Sequence, residues 1–173
     1  MEALETLLTR RSVRSYTDEK VSREDLDRIL EAGKFAASGM GRQSAIMVAV
    51  QNPETLKKLE ELNCTSAGME PGHPFYGATT VIVVLADKNI RTHVYDGSLV
   101  MGNMMNAAAA LGLGSCWIHR ARETFETEEG KELLRQWGVE GDYEGIGNLI
   151  VGHYDGELPV AKPRKENYVY LDL

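Results

Sequence analysis

From Gly97 to Ile118 no side chain carries a charge, and this run constrains the fold more than any other feature of the chain. It is long enough to cross a bilayer. Yet it contains Ser98, Asn103, Asn106 and Ser115, breaks at Gly112-Leu113-Gly114, and owes its length to alanine and glycine, which contribute little to insertion. The reading that fits is a helix over Gly97 to Leu113, buried on nearly all sides and followed by a strand. A second run, Val81-Ile82-Val83-Val84-Leu85, is apolar throughout and mostly β-branched, as a central strand covered on both faces requires.

Around these two runs the remaining elements fall into place. Leu4, Leu7 and Leu8 recur at helical spacing ahead of Arg10, which predicts a short amphipathic first helix. Ser22 precedes Arg23-Glu24-Asp25, so its hydroxyl caps the Asp25 amide while Asp25 reaches back, and Leu26, Ile29 and Leu30 form the apolar face. Asn52 and Pro53 open a helix through Leu56, Leu59 and Leu62. Ala45 to Val50 is short, apolar and rich in β-formers, hence a buried strand. Asn63 to Ala78 holds Gly68, Pro71, Gly72, Pro74 and Gly77, a loop longer than a simple connection needs and so a functional candidate. Ser115 to His119 predicts a strand, followed by an acidic helix ending near Trp137 and a strand over Ile146 to Val151. The tail from Gly152 is polar and basic and closes on Tyr168-Val169-Tyr170-Leu171. With 173 residues the chain has the size of one domain, taken as 1–173. Its interleaved helices and strands predict an α+β fold with a mixed β-sheet flanked by helices.

Several function classes are disfavoured. A net charge of -7 repels nucleic-acid phosphates and anionic lipid, so neither nucleic acid nor membrane is an expected partner. Cys64 and Cys116 lie far apart without a C-x-x-C pairing, and Met1-Glu2-Ala3-Leu4-Glu5 lacks the basic start of a secretory leader, so a reducing cytoplasm is the expected compartment. Gly39-x-Gly41, Gly112-x-Gly114 and Gly145-x-Gly147 lack the third glycine of a dinucleotide fingerprint. No Walker loop or G-x-S-x-G elbow occurs, and His73, His93, His119 and His153 are too scattered to predict a metal site. Cys116, inside an apolar strand, reads as a core side chain.

What remains is an arrangement of cations and a turn. Arg10-Arg11-Ser12-Val13-Arg14-Ser15-Tyr16 gathers guanidinium groups and hydroxyls just past the first helix of an acidic protein. Guanidinium forks suit phosphate or an electron-rich ring edge, although arginines also favour a solvated helix C-terminus. Lys162-Pro163-Arg164-Lys165 joins them only if the tail folds back, and otherwise reads as a solubilising tail. Ala36 to Ser44, through Ser38, Gly39, Gly41 and Gln43, is a glycine-rich polar turn whose amides can approach a ligand closely, or else a simple helix cap and connector.

The order of these pieces resembles the FMN-dependent nitroreductase family. The resemblance spans the chain and is carried by the R-R-S-x-R-x-Y element at Arg10 to Tyr16, the turn ending in Gln43, Phe75-Tyr76-Gly77-Ala78 before the apolar strand, the Ala110-Leu111-Gly112-Leu113-Gly114-Ser115-Cys116-Trp117-Ile118 segment, and the closing Val151-Gly152-His153-Tyr154 with Lys162-Pro163-Arg164. It implies a bound FMN, with Arg10 and Ser12 on the phosphate, Arg11 nearby, and Lys162 and Arg164 completing that site. Arg14 would face the N1/O2 edge of the ring as electrostatic support, and no residue of the chain is expected to act as a catalytic acid, base or nucleophile. Cys116, Trp117 and Ile118 would line the ring, and Asn63 would set an amide near it. Ser38 and Gln43 would reach the flavin of the partner subunit, in a homodimer whose C-terminal extensions wrap each other.

The chain departs from many members in having Ala37, Gly41 and Gln43-Ser44 in that turn. It also joins the central strand to the long helix through only Asp87 to Val94, where larger members carry a covering insertion, which implies a more open ring face. The implied activity is ping-pong hydride transfer from NADH or NADPH to a nitroaromatic, quinone or similar acceptor. Two other functions stay open: an FMN-dependent dehydrogenase or oxidase of a cellular metabolite that does not use nicotinamide, and a non-catalytic flavin-binding protein.

Overall fold

The computed structural model describes residues 2–173 except 67, 69 and 71; Pro71 of the glycine- and proline-rich loop therefore lies outside the described residues. The chain runs α1 (Ala3–Thr9), α2 (Arg23–Lys34), a 3-10 turn (Gly39–Gly41), β1 (Ala45–Val50), α3 (Pro53–Thr65), β2 (Thr80–Asp87), α4 (His93–Ala110), β3 (Gly114–Ile118), α5 (Ala121–Glu126), α6 (Glu128–Gln136) and β4 (Tyr143–Gly152).

The helix starts follow the expected capping chemistry. Ser22 Oγ accepts from the Asp25 amide at 3.1 Å and donates to Asp25 Oδ2 at 3.0 Å, so one hydroxyl serves both halves of the cap. Asn52 Oδ1 accepts from the Thr55 amide at 3.0 Å, one residue ahead of the Pro53 that opens α3. The single acidic helix predicted before Trp137 is instead two. Thr127 ends α5 and caps α6 by accepting from the Gly130 amide at 3.0 Å, and a Cβ at Gly130 would collide with the Thr124 carbonyl.

The sheet order is β1-β2-β4-β3, and all neighbouring strands pair antiparallel. The mixed sheet read from the sequence is corrected accordingly: among the described residues the parallel contribution is an isolated bridge between Ser12 and Ser115 at the β3 edge. Side chains along β2 alternate between two cores. Ile82, Val84 and Ala86 meet α2 and α4, while Val81, Val83 and Leu85 share the other face with Leu59, Phe125 and Leu133. β2 is buried along its length, as a central strand must be. β1 is half-buried rather than buried, because it is an edge strand.

The uncharged helix is α4, and it begins one turn earlier than expected, taking in His93 and Asp96. It is not covered on all sides within the chain. Gly97, Val100, Met101, Met104 and Ala108 face the core, whereas Val94, Tyr95 and Leu99 are exposed. The first helix forms as expected, but its leucines point outward: Thr6 is its buried residue, and Leu4, Leu7 and Leu8 are 68%, 60% and 68% exposed. Among the described residues no helix is long and apolar enough to cross a membrane. Residues 155–173 form no regular element and are exposed almost throughout.

Candidate functional site

Arg10, Arg11 and Ser12 leave α1 and lie against the start of β3. The Val13 amide donates to the Ser115 carbonyl at 3.0 Å, which fixes the arginine segment on the free edge of the sheet. Arg11 Nη1 donates to the carbonyls of Leu8 and Arg10 at 2.9 and 2.8 Å, so this guanidinium closes the C-terminus of α1. Arg10 is different. Its Nη1 is buried with no hydrogen-bond partner, a costly state for a charged donor unless an anion meets it. Arg14 is exposed one step further along. Tyr16 donates its hydroxyl to the Val13 carbonyl at 2.8 Å; burial, helped by Cys116 and opposed by Arg14, pushes its pKa above the ordinary tyrosine value.

β3 supplies the next part of the site. Its Cys116 and Ile118 side chains enter the core shared with α3 and α5, while Trp117 packs toward α4 across Gly147, where a Cβ would sit 2.6 Å from the indole Nε1. Ser115 turns its carbonyl out toward Val13, so strand alternation points the backbone groups of Trp117 out along the same edge. At the end of the strand the buried Asn63 donates from Nδ2 to the His119 carbonyl at 2.8 Å. Asn63 thus belongs to the last turn of α3 rather than to the predicted loop, and its Oδ1 is buried without a partner. A cavity of about 450 Å³ lined by Ser98, Trp117, His119, Glu123 and Glu144 adjoins this strand end.

The remaining predicted residues lie elsewhere. Ser38 and Gln43 belong to the turn that enters β1, at the opposite edge of the sheet from β3. Three interstrand spacings separate the two edges, roughly 14 Å. One chain therefore does not bring Ser38 and Gln43 to Arg10 and Trp117. Lys162 and Arg164 are exposed in the tail, and the Arg164 fork donates to the Lys162 carbonyl at 2.9 Å rather than joining Arg10. Among the described residues no group of histidine, cysteine and carboxylate side chains converges to hold a metal ion.

Asp96, which no local sequence motif marks, organises the turn. Asp96 is 3% exposed and accepts from the Gly39 amide at 2.9 Å, Ser44 Oγ at 2.7 Å and Thr92 Oγ1 at 3.1 Å. Burial by itself would raise its pKa, but these hydrogen bonds, together with His93, hold it below the ordinary carboxylate value. The signal available in the sequence was its position as the last charge before the uncharged run.

Comparison with known proteins places these features in a family context. The Nitroreductase family profile matches residues 7–153. A protein of Archaeoglobus fulgidus, provisionally named NADH dehydrogenase/NAD(P)H nitroreductase, is 34% identical over 140 residues, which cover 78% of this chain and 75% of that protein. The FMN reductase [NAD(P)H] of Bacillus subtilis is 27% identical over 183 residues, covering 94% of this chain and 70% of its own. Among solved structures, a Bacteroides fragilis nitroreductase with bound FMN superposes with a TM-score of 0.90 at 29% identity, covering 99% of this chain and 98% of that one.

Proposed function

The chain belongs to the nitroreductase family, and from that premise we propose that it is an FMN-dependent NAD(P)H oxidoreductase whose flavin lies against the Arg10–Arg14 segment and the β3 edge. The observation that carries this reading is the buried, unpartnered Nη1 of Arg10, a donor in need of an anion at the place where a flavin phosphate would lie.

When bound, FMN supplies the hydride carrier between NADH or NADPH and a nitroaromatic, quinone or similar acceptor, in ping-pong order. The chain's own residues bind and orient. Arg10 and Ser12 hold the phosphate, with Arg11 beside them locking the end of α1. Arg14 presents an exposed cation to the electron-rich edge of the ring. Trp117 offers its half-buried indole and its outward backbone groups, Cys116 and Ile118 anchor the strand from the core behind it, and Asn63 acts at one remove by holding the strand exit through His119. The cavity beside Trp117 is space for the acceptor.

The site is completed by a second copy. Ser38 and Gln43 stand at the N-terminal end of α4, and Arg10 and Ser12 lie beyond its C-terminal end, at the far edge of the sheet. A two-fold axis beside α4 exchanges these ends, so the turn of one subunit meets the arginine segment of the other. Such a contact also covers Tyr95, Leu99 and the leucines of α1, which the single chain leaves exposed. The tail then wraps the partner and carries Lys162 and Arg164 to a phosphate site. A soluble, cytoplasmic homodimer is the form in which we place this activity, with residues 1–173 as one domain.

Mixing the anaerobic, flavin-loaded protein with NADH and NADPH in turn, while following flavin absorbance, tests the proposal. Rapid bleaching with at least one nicotinamide is the expected result. A protein that carries FMN but bleaches with neither is not a nicotinamide-dependent reductase, and mass analysis of the released cofactor as FAD would overturn the phosphate assignment.

A further inference from the structure

Asp96 is a buried carboxylate whose described hydrogen-bond partners, Gly39, Ser44 and Thr92, are all uncharged. Removing the carboxylate alone would strand its hydrogen-bond donors, but the polar cluster as a whole stabilises no more than apolar packing of the same shape, because desolvation offsets its hydrogen bonds. What the carboxylate fixes is position. It lies in the first turn of α4, where the helix dipole favours a negative charge, and it reaches across to both ends of the Gly39–Ser44 turn.

That turn is built from conformations that do not persist unaided. Met40 and Gln43 are non-glycine residues in the left-handed region, at φ 56° and 50°, and each costs on the order of 1 kcal/mol. Ser38 Oγ closes the turn by accepting from the Gln43 amide at 3.1 Å, and Asp96 ties the closed turn to the helix. The fit is tight: a Cβ at Gly39 would collide with the Thr92 hydroxyl.

We propose that Asp96 is a positioning residue that acts in trans: it holds the Ser38–Gln43 turn of its own chain in register for the flavin of the other subunit. The same carboxylate joins the turn to α4, the helix of the subunit contact, so assembly and flavin retention share one anchor. The inference rests on the dimeric reading given above.

Mixed dimers separate the two. Chains carrying Asp96→Asn and Arg10→Ala are co-expressed with different tags, and pairs bearing both tags are isolated. Each variant as a homodimer should bind FMN roughly tenfold or more weakly than the parent, the scale of one lost charge-assisted contact. In the mixed pair, one site joins the intact Arg10 of the Asp96→Asn chain to the intact turn of the Arg10→Ala chain, while the other site carries both defects. One FMN of parental affinity per pair is therefore expected by flavin titration. A mixed pair without a strong site, or an Asp96→Asn homodimer of parental affinity, overturns the assignment and leaves the dimer standing. A flavin-loaded parent that is monomeric by light scattering overturns both. If Asp96→Asn does not fold, Gly39→Ala replaces it in the same pairing, since it keeps the carboxylate and displaces the turn.

Discussion

Asp96 Oδ2 accepts from Ser44 Oγ at 2.7 Å across 52 residues of sequence, tying the first turn of α4 to the residue that enters the edge strand. The consequence for stability has a definite sign. The folded-state pKa of Asp96 is depressed, so its contribution is present above about pH 4 and is lost as pH falls through the folded value. Asp96→Asn should destabilise the protein at pH 7 by about 1–3 kcal/mol. Denaturant unfolding from pH 7 to 3 should show the gap between parent and variant closing only at the acid end; a gap independent of pH would remove the charge from this account.

Arg10 and Arg11 are adjacent but do different work. Arg10→Ala removes the guanidinium whose buried Nη1 has no partner and should weaken FMN binding about ten- to a hundred-fold, with little change in fold. Arg11→Ala removes the bonds to the Leu8 and Arg10 carbonyls and should cost about 1 kcal/mol of stability with a smaller loss of affinity. Flavin titration and thermal unfolding of both variants check the contrast, and the reverse order would exchange their roles.

Gly145 lets β4 pass α5 without a side chain between them. A Cβ there would collide with the Ala121 carbonyl and lie 2.8 Å from the Arg122 amide, both backbone atoms that cannot rotate away. Gly145→Ala should destabilise by about 1–3 kcal/mol or more. Gly102, which has nothing within 4 Å of its Cβ position in the chain, is the control for a core packed only by this subunit. Helix propensity alone makes Gly102→Ala raise the melting temperature, so a fall at this position would mean that a second copy packs there.

Light scattering should give twice the 19.2 kDa chain mass. On the proposal that the tail wraps the partner, removing residues 155–173 should lower both the dimer fraction and the FMN affinity, through the loss of contact surface and of Lys162 and Arg164. Leu4→Ser with Leu8→Ser, on a helix whose leucines face outward, should weaken assembly without disturbing the core. A truncated protein that stays dimeric and keeps parental flavin affinity would show that the tail does neither.

The elements were legible in the sequence because their signals are local. The Ser22 and Asn52 caps, the apolar run of β2 and the uncharged run of α4 each depend on residues within a turn or two of one another, so periodicity and capping chemistry locate them. The motifs that hold Arg10, Ser12 and Trp117 were legible for the same reason of local order, and the family they point to is the one whose profile matches residues 7–153. What depended on distant partners was not legible. The all-antiparallel pairing and the edge position of β1 follow from which strand lies beside which, and that choice is made by burial across the whole sheet rather than by any segment. Asn63 reads as a loop residue in the sequence because only the fold brings His119 within reach of its amide, and nothing local marks Asp96 because Gly39 and Ser44 are remote in sequence and adjacent in space. The sequence by itself determined which segments form helices and strands and which family they serve; the tertiary structure decided that the Ser38–Gln43 turn and the Arg10–Arg14 segment stand on opposite edges of one sheet, since hydrogen-bonded strand order sets that distance and no local pattern encodes it.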